Sequence, residues 1–475
     1  MMNQLRRTSI IALALLVSCT CIVHAQTATG PGPTPATGVL NVMNFGAKCD
    51  GQTDDTKAIQ SVINLARNSK NGNTIMIPGT KACVVTQLDF TNIEHRLRLV
   101  GESSIAGWHS TILCHEASSN NQVCVDFSGA GHLDVENLRI NGGTSVADAP
   151  RVAVLMGKTV VNGPIGNGSV ISWHEVTVEG YGDYQVYDYG SEAFGCTDCY
   201  LSNFSPSRNT GVAVLVLSGN NTAGIVSPFA KLRPPPVSMT GVHFSGGATT
   251  FGVQGTAVGI LFDPSRAAIA DVGFADGYAH VSGPAFISEE PSAPGMIQGL
   301  RITGWRTEAY TPSTVFAAFS NVLQQVYIDA GYSNPTKPTV PPLQFNRKTP
   351  SALATADITL RPADSLTTFP DVVVYCASDT VGVTIHDFVS RGGVAQTNDC
   401  PGASEIFHGT YNGCAGTIDL SGGRASVQNR CIVGSRPIIC TDNSSTSGAA
   451  CSAVPVRGGV ALYGNGSDKV SWAQQ

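Results

Sequence analysis

The stretch LDVENLRINGG at Leu133–Gly143 contains the pattern that decides the fold: apolar-x-apolar-x-Gly after a few alternating residues. Alternating apolar residues are typical of a strand with one buried face, and the glycine indicates a turn at its end. The pattern returns, the last time as a one-residue variant, in VISWHEVTVEGYG (170–182), VSMTGVHFSGG (237–247), MIQGLRITGW (296–305) and VLQQVYIDAGY (322–332).

The spacing of these strands predicts a solenoid. The apolar pairs Leu300/Ile302 and Val326/Ile328 lie 26 residues apart (300 to 326), and the other repeats fit coils of roughly 20–30 residues. Each strand is too short to bury its apolar edge alone, whereas coils stacked about 4.8 Å apart bury a continuous apolar column. We therefore predict an all-β fold, a single-stranded right-handed parallel β-helix.

The composition agrees with a turn-rich β protein. Of the 475 residues, 13% are charged, 42% are hydrophobic and 52 are glycine. Ordinary globular domains have about 25% charged residues and about 7% glycine. The net charge of −6 is opposite in sign to the charge that a nucleic-acid surface requires. We therefore predict no nucleic-acid partner.

Residues 1–25 are typical of an export signal, so we predict secretion. The apolar stretch Ile10–Val17 follows basic residues and is too short to span a bilayer, and Val23–Ala25 offers a cleavage site. The alternative is a lipoprotein box that would lipidate Cys19. Cleavage after Ala25 removes two of the 14 cysteines and leaves an even number, which favours ordinary export.

Twelve exported cysteines predict disulfides. Cys114/Cys124 and Cys440/Cys451 can each close a local loop, whereas Cys196 and Cys199 are closer in sequence than the partners of most structural bridges. The full connectivity stays open, because spacing alone does not determine it.

Four segments follow from these patterns. Residues 1–25 are the signal, and the Thr/Gly/Pro/Ala-rich residues 26–37 are a linker. Residues 38–350 form the β-helix, which ends where five prolines lie between 335 and 350. Residues 351–475 are a cysteine-bearing β extension, either final coils or a small β domain.

One helix is predicted before the first full coil. Asp54 or Asp55 is a good N-cap, and apolar residues then recur at helical spacing at Ile59, Val62 and Ile63. The end of a solenoid exposes apolar side chains and unpaired strand edges. We therefore expect this amphipathic helix to cap the first coil.

The surrounding stretch NFGAKCDGQTDDTKAIQSVI (44–63) resembles the N-terminal signature of the pectate-lyase superfamily, F-G-A-x-x-D-G-x-x-D-D-T-x-A-I-Q. This superfamily includes rhamnogalacturonase- and epimerase-like proteins, relatives of polygalacturonases and phage tailspikes. The resemblance implies a pectin-lyase-like β-helix that acts on or binds polysaccharide. The signature is structural, and the sequence lacks the catalytic motifs of polygalacturonases and mannuronan epimerases.

Side chains that meet a polysaccharide must face outward from the coils. Carboxylates transfer protons and aromatic rings stack on sugars, so outward residues and the tyrosine-rich turn 180–190 supply the candidates. His174 falls on the inward phase. The predicted catalytic residues are Glu175, Glu179, Asp183, Asp188, Arg301 and Glu308. The predicted substrate-binding residues are Trp173, Tyr181, Tyr187, His243 and Trp305.

Three functions fit the sequence. A hydrolase needs two carboxyl groups, which Glu175 or Glu179 with Asp183, Asp188 or Glu308 can supply. A lyase needs a base such as an arginine and often Ca²⁺, for which Asp134 and Glu136 are the nearest acidic group. A binding or adhesive solenoid needs neither. We favour the hydrolase, with an acidic or pectin-like polysaccharide as substrate and partner and no required cofactor; cell-surface association and a homo-oligomer stay open.

Overall fold

The computed structural model describes residues 38–346 and, beyond them, the strands whose bounds follow. Within 38–346 the undescribed segments are 70–72, 80, 104–109, 116–122, 158–169, 205–212, 219–224, 226, 230–238, 247–249, 254–257, 265–267, 289–294 and 337. The predicted export signal, the linker up to residue 37 and the Cys440/Cys451 pairing lie outside the described residues. Among the described residues, no helix has the length and hydropathy needed to cross a membrane.

The chain forms a short 3-10 helix, Val42–Phe45, one α-helix among the described residues, α1 (Thr56–Arg67), and many short strands. The strands up to residue 203 are β1 (Val39–Asn41), β2 (Asn73–Ile77), β3 (Ala82–Val85), β4 (Leu88–Asp89), β5 (Arg96–Gly101), β6 (Ser110–Cys114), β7 (Val123–Asp126), β8 (His132–Glu136), β9 (Leu138–Gly142), β10 (Val152–Gly157), β11 (Val170–His174), β12 (Thr177–Gly180), β13 (Tyr184–Tyr189), β14 (Glu192–Thr197) and β15 (Tyr200–Asn203).

Strands of similar length continue to residue 345. They are β16 (Ala213–Ser218), β17 (Met239–Ser245), β18 (Thr250–Val253), β19 (Val258–Asp263), β20 (Ile269–Ala275), β21 (Tyr278–Val281), β22 (Phe286–Ser288), β23 (Met296–Ala309), β24 (Ala317–Phe319), β25 (Val322–Gln324), β26 (Val326–Ser333) and β27 (Leu343–Phe345).

Ten further strands follow. They are β28 (Leu353–Pro362), β29 (Val372–Cys376), β30 (Val381–Phe388), β31 (Thr397–Asp399), β32 (Ser404–Phe407), β33 (Gly416–Asp419), β34 (Ala425–Val427), β35 (Ile438–Thr441), β36 (Val454–Pro455) and β37 (Lys469–Trp472). Strands β28, β30, β32 and β34 continue one parallel sheet and β29 and β31 continue the other, whereas β33, β35, β36 and β37 form an antiparallel sheet.

Each coil contributes up to three strands, and equivalent strands of successive coils pair in parallel. The first strand series runs β2, β5, β8, β11, β14, β17, β20 and the beginning of β23. The second strand series runs β3, β6, β9, β12, β15, β18, β21 and the end of β23. The third strand series runs from β4 to β31 as a separate sheet. The predicted all-β parallel β-helix is confirmed.

Buried side chains stack in register inside the coils. In the first strand series, Val135 pairs with Trp173, which pairs with Cys196, and the column continues through Phe244 and Phe274. These five residues are at most 1% exposed. Complete burial of a large apolar side chain contributes roughly 1.5–3 kcal/mol, so such columns supply much of the driving force for stacking.

A residue in the left-handed conformation separates the first and second strand series in several coils. Its φ is 53° at Asn137, 52° at Glu175, 54° at Asp198 and 56° at Asp276. Each of these backbone amides donates to the next coil, for example Asn137 N to His174 O at 3.0 Å. The extra residue resets the alternation, so that inward and outward positions exchange between one strand and the next.

This reset places the repeats of the apolar-x-apolar-x-Gly pattern in two different strand series. The apolar pairs Leu138/Ile140 and Val176/Val178 lie at the second strand series, whereas Val242/Phe244 and Leu300/Ile302 lie in the first. The same apolar-x-apolar-x-Gly pattern fits both series, because both have alternate residues buried in front of a turn. The pairing of Ile302 with Ile328 at the 26-residue period is confirmed.

Helix α1 packs its apolar face into the core. Ile59, Val62, Ile63 and Ala66 are fully buried and belong to the same apolar cluster as the strands. The helix contacts β2 and β4, which belong to the first full coil. Capping of the solenoid end by this helix stays a prediction.

The aspartates of the signature hold the backbone around the start of α1. The N-cap of the helix is Asp55. The carboxylate of the preceding residue, Asp54, accepts a hydrogen bond from the amide of Thr56, the first helical residue, at 2.9 Å. The buried Asp55 carboxylate accepts from the amides of Lys48 and Cys49 at 2.6 and 2.9 Å. Hydrogen bonds from Thr53 and Gln52 lower the pKa of Asp50 to about 2. These contacts agree with a structural role for the signature.

Three disulfides join described cysteines: Cys49–Cys83, Cys114–Cys124 and Cys196–Cys199. The predicted Cys114–Cys124 bridge is confirmed. Cys196 and Cys199 are bonded in spite of their short separation, because they lie on either side of the left-handed turn at Asp198 and their Cα atoms are 6.0 Å apart. Stable disulfides require an oxidising compartment, which indicates a non-cytosolic protein.

The left-handed turn predicts the effect of one substitution. We expect Asn137→Val to lower the free energy of unfolding by about 1–2 kcal/mol, because a β-branched residue strains a backbone with φ near 53°. Asn137→Gly should change it by less, since glycine adopts this conformation without strain. Urea unfolding followed by circular dichroism measures both variants. Equal stability of the two would contradict the proposed role of the turn.

Candidate functional site

Two outward columns run along the second strand series. Strand register aligns residues of successive coils, so that residues two apart in each strand share the outer face. The first, which we call the tyrosine column, contains Arg139, Thr177, Tyr200, Tyr278 and Arg306, with the backbone of residue 250 between the two tyrosines. The second, which we call the glutamate column, contains Asn141, Glu179, Ser202, Gly252, His280 and Glu308.

Local sequence explains why strands β21 and β23 present polar groups at these positions. In YAHV (278–281), Ala279 and Val281 are buried while Tyr278 and His280 are only partly covered. In RTEA (306–309), Thr307 and Ala309 are buried, which leaves the two charged residues outside. Parallel pairing then aligns Tyr278 with Arg306 and His280 with Glu308.

Five side chains meet at this point, and we call them the Glu308 cluster: Tyr278, His280, Arg306, Glu308 and Tyr310. Glu308 Oε1 accepts from Arg306 Nη2 at 3.0 Å, and Glu308 Oε2 lies 3.3 Å from His280 Nδ1. The guanidinium carbon of Arg306 lies 5.7 Å from the centre of the Tyr278 ring. This is a cation–π arrangement, so Arg306 is attracted to both the carboxylate and the ring.

His280 connects Glu308 to two phenols. Its Nδ1 is hydrogen-bonded to the Tyr310 hydroxyl and lies 3.5 Å from that of Tyr278. The imidazole stacks on the Tyr310 ring with centroids 5.9 Å apart. The His280 side chain is 41% exposed and Tyr310 is 52% exposed. The hydrogen-bonded groups are therefore open to a large solute.

The environment raises the pKa of both phenols. Burial is the main cause for Tyr278, followed by its hydrogen bond to Glu308 and the charge of that carboxylate. For Tyr310 the causes are burial and the charge of Glu308. Both hydroxyls therefore keep their protons at neutral pH, since the usual phenol pKa is already about 10. The cluster holds two proton donors beside an imidazole and a paired carboxylate.

Glu179 was predicted to be catalytic, and the structure places it in an ion pair. Its carboxylate binds Arg139, one coil earlier, and the residue is only 7% exposed. Glu179 and Glu308 lie four coils apart in the glutamate column. At about 4.8 Å per coil this is about 19 Å, which exceeds the 6.5–9.5 Å carboxyl separation of inverting glycosidases.

The remaining predicted acids also lie apart from the Glu308 cluster. Asp183 is 4% exposed and binds Arg151 with a 3.0 Å contact. Asp188 is fully buried in the third strand series, where it pairs in register with the core residue Met156. Glu175 occupies the left-handed turn, with its side chain 46% exposed. Of the candidates, only Glu308 lies in the cluster.

The predicted outward positions of both tryptophans are wrong. Trp173 and Trp305 are each 1% exposed and pack edge-on against Phe194 and Phe274 respectively. Each tryptophan lies close to a residue in the left-handed conformation. Trp173 is two residues before Glu175, and Trp305 directly follows Gly304 (φ 61°). An alternation that omits this left-handed residue places both tryptophans on the outer face. Because both are buried, they cannot contact a sugar. For the same reason His174, predicted to be inward, has a side chain that is 53% exposed.

The tyrosine-rich turn 180–190 is largely a strand. Tyr187 is 1% exposed. It packs with Leu155 and Val216 in a second apolar cluster, on the outer face of the third strand series. It therefore does not offer a free ring to a sugar, contrary to the prediction. Tyr181 is partly buried, with its ring 5.8 Å from that of Phe204.

His243 and Arg301 are exposed as predicted, but on the first strand series. The side chain of His243 is 54% exposed and its Nε2 lies 3.6 Å from Asp271 Oδ2. The register places Gly273 between His243 and Arg301. The structure therefore brings these two residues into one column, separate from the Glu308 cluster.

The sequence predicted Glu308 as a candidate acid, and it did not predict Tyr278, His280 and Tyr310 as its neighbours. A detectable signal was present, because Tyr278-x-His280 and Arg306-x-Glu308 are separated by 28 residues (278 to 306), close to one coil. Tyr310 was harder to assign, since it follows β23 and reaches His280 only through the path of the chain after the strand.

The acidic pair considered for Ca²⁺ is already neutralised. Asp134 binds Arg96 at 2.8 Å and Glu136 binds Arg98 at 2.7 Å. The contact with Glu136 also raises the pKa of Arg98. Among the described residues, one group of three potential ligands was found close together, Cys49, Asp55 and Cys83, and its cysteines are joined in a disulfide.

Fold and site define a class: a parallel β-helix protein with a cluster of titratable side chains on the outer face of its coils. A sequence model of the family described as "Rhamnogalacturonase A/epimerase, pectate lyase-like" matches residues 39–106. This match confirms the resemblance to the pectate-lyase superfamily. No curated protein sequence matches the chain significantly.

Several solved structures are similar in fold. The ORF18 protein of Geobacillus virus E2 matches 82% of this chain, which spans 62% of that protein, at 14% identity and a TM-score of 0.36. PfbA, a surface adhesin of Streptococcus pneumoniae, matches 85% of this chain and 98% of its own, at 12% identity and a TM-score of 0.43. The catalytic unit of an α-1,3-glucanase from Streptomyces thermodiastaticus matches 80% and 70%, at 11% identity and a TM-score of 0.31.

The electrostatics of the cluster can be tested without a substrate. We expect Glu308→Gln to lower the pKa of Tyr278 and Tyr310 toward the ordinary phenol value, because the negative charge that opposes their ionisation is removed. Nuclear magnetic resonance titration of ring-labelled tyrosine measures this shift. Glu175→Gln removes an exposed carboxylate elsewhere and should leave both values unchanged. Unchanged values in Glu308→Gln would contradict the described contacts.

Proposed function

We propose that this protein is a secreted polysaccharide lyase that cleaves an acidic polysaccharide at the Glu308 cluster. The observation that supports the proposal is the position of His280, which contacts a paired carboxylate and a protonated phenol at once. β-Elimination at a uronate requires a base, an acid and a positive charge near the substrate carboxylate. His280, Tyr310 and Arg306 offer these three groups.

In the proposed step, His280 accepts a proton from the substrate and Tyr310 donates one. With its Nδ1 proton shared between Glu308 and Tyr310, His280 is basic at Nε2 and removes the proton on the carbon beside the uronate carboxylate. A carbon–carbon double bond forms as the bond to the glycosidic oxygen breaks. Tyr310 donates its proton to that leaving oxygen, and the raised pKa of its phenol keeps the proton available. Glu308 stabilises the protonated imidazole.

Hydrolysis is less well supported by the geometry. The described contacts of the cluster include one carboxylate, Glu308, and it is paired with Arg306. The predicted partner Glu179 lies about 19 Å away along its column and is paired with Arg139. A glycosidase of the usual kind requires two carboxyl groups that face the same bond. Elimination is therefore our preferred reaction, with hydrolysis and binding without cleavage as outcomes of the test.

The test uses polygalacturonate and alginate as substrates. A lyase produces new reducing ends together with ultraviolet absorbance of the unsaturated product. We expect Glu308→Gln, His280→Gln and Tyr310→Phe each to lower kcat by roughly 10²–10⁴-fold, the usual contribution of acid–base groups. Glu175→Gln is the matched control and should retain activity. Chelation of divalent ions should also leave activity unchanged, because we assign charge neutralisation to Arg306.

Other results of this experiment would identify a different function or disprove the site. Reducing ends without absorbance would show a hydrolase, and tight binding with neither signal would show a binding solenoid. Full activity of all three cluster variants would disprove the assigned site. For export, we propose cleavage after Ala25, and an intact-mass measurement showing a lipid on Cys19 would contradict it.

A further inference from the structure

Tyr200 lies in line with the Glu308 cluster although it does not belong to it. The register pairs Tyr200 with Thr250 and Thr250 with Tyr278, so the two tyrosines occupy one column two coils apart. The next position of this column is Arg306. Because strands of one series keep their inner and outer faces in register, Tyr200 and Tyr278 face the same side of the sheet.

Tyr200 is one of the larger apolar side chains exposed on this protein, at 36%. Its neighbours in sequence, Cys199 and Leu201, are buried, so its outward position is fixed by the core beneath it. Its backbone amide donates to Val176 O at 2.9 Å. The ring is therefore displayed from a strand whose backbone is paired with both neighbouring coils.

We propose that Tyr200 forms a second sugar-binding subsite for the same polysaccharide that is cleaved at the Glu308 cluster. The inference rests on the proposed function and extends it to chain length. Two coils span about 9.6 Å, close to the length of a disaccharide unit in a linear polysaccharide. A chain lying across the coils can therefore place one ring on Tyr200 while another ring lies at Tyr278. Aromatic faces bind the apolar faces of sugars, and they do so for many sugar types.

The consequence is a preference for long chains. An oligosaccharide that fills only the positions around the cluster gains nothing from Tyr200, whereas a polymer contacts both tyrosines. We expect Tyr200→Ala to weaken binding of polygalacturonate roughly three- to tenfold, the effect of losing one aromatic contact, and to leave binding of a galacturonate disaccharide unchanged. Tyr200→Phe should bind the polymer like the unaltered protein, since the ring remains.

The chain offers a matched control. Tyr375 is 37% exposed, nearly the same as Tyr200, but it lies on β29 of the third strand series. Tyr375→Ala should therefore leave polymer binding unchanged. Calorimetric titration with polygalacturonate and alginate, carried out in the Glu308→Gln background so that the polymer is not cut, measures all variants. Circular dichroism confirms that each variant is folded.

The outcomes separate this inference from the proposed function. Weaker polymer binding by Tyr200→Ala with no cleavage by the unaltered protein would support the subsite and disprove the lyase. Cleavage that requires Glu308, with Tyr200→Ala and Tyr375→Ala equal in polymer binding, would disprove the subsite and leave the lyase standing. Equal weakening of disaccharide and polymer would place Tyr200 in the cleavage site itself. Failure of both polymers to bind the unaltered protein would overturn both proposals.

Discussion

The rest of this structure depends on the register between coils. Parallel pairing fixes each residue above its equivalent in the next coil, and a left-handed residue such as Asn137 or Asp276 separates the first and second strand series. Because that residue belongs to neither alternation, it decides which side chains enter the core on either side of it. One wrong count reverses a whole strand, since side chains alternate with a period of two.

The same register produces the ion pairs on the outer surface. Arg98 binds Glu136 and Arg139 binds Glu179, in each case across neighbouring strands of successive coils. An exposed pair such as Arg98–Glu136 contributes only about 0–1 kcal/mol to stability. The larger effect of both pairs is to neutralise carboxylates that would otherwise be available for proton transfer. A carboxylate on the outer face of a coil is therefore not by itself an indication of catalysis.

The same cross-coil geometry brings different groups together in the Glu308 cluster. Tyr278 and His280 come from one coil, and Arg306 and Glu308 from the next. The carboxylate is still paired with an arginine, but an imidazole and two phenols lie on its other side. The raised pKa of the phenols follows from burial beside a negative charge. This combination of an imidazole, protonated phenols and a cation is what distinguishes the cluster from the structural ion pairs.

The sequence by itself determined the class of fold, because apolar periodicity and the motif around Asp54 reflect local requirements for strands, turns and a helix start. It also predicted Glu308 as a candidate acid, because its neighbours in sequence are polar and aromatic. The faces of Trp173 and Trp305 were decided only by the tertiary structure, since a left-handed residue is required by stacking and leaves no clear mark in composition. The partners of Glu308 were likewise decided only by the tertiary structure. His280 approaches Glu308 through the pairing of successive coils, and Tyr310 approaches through the path of the chain after β23.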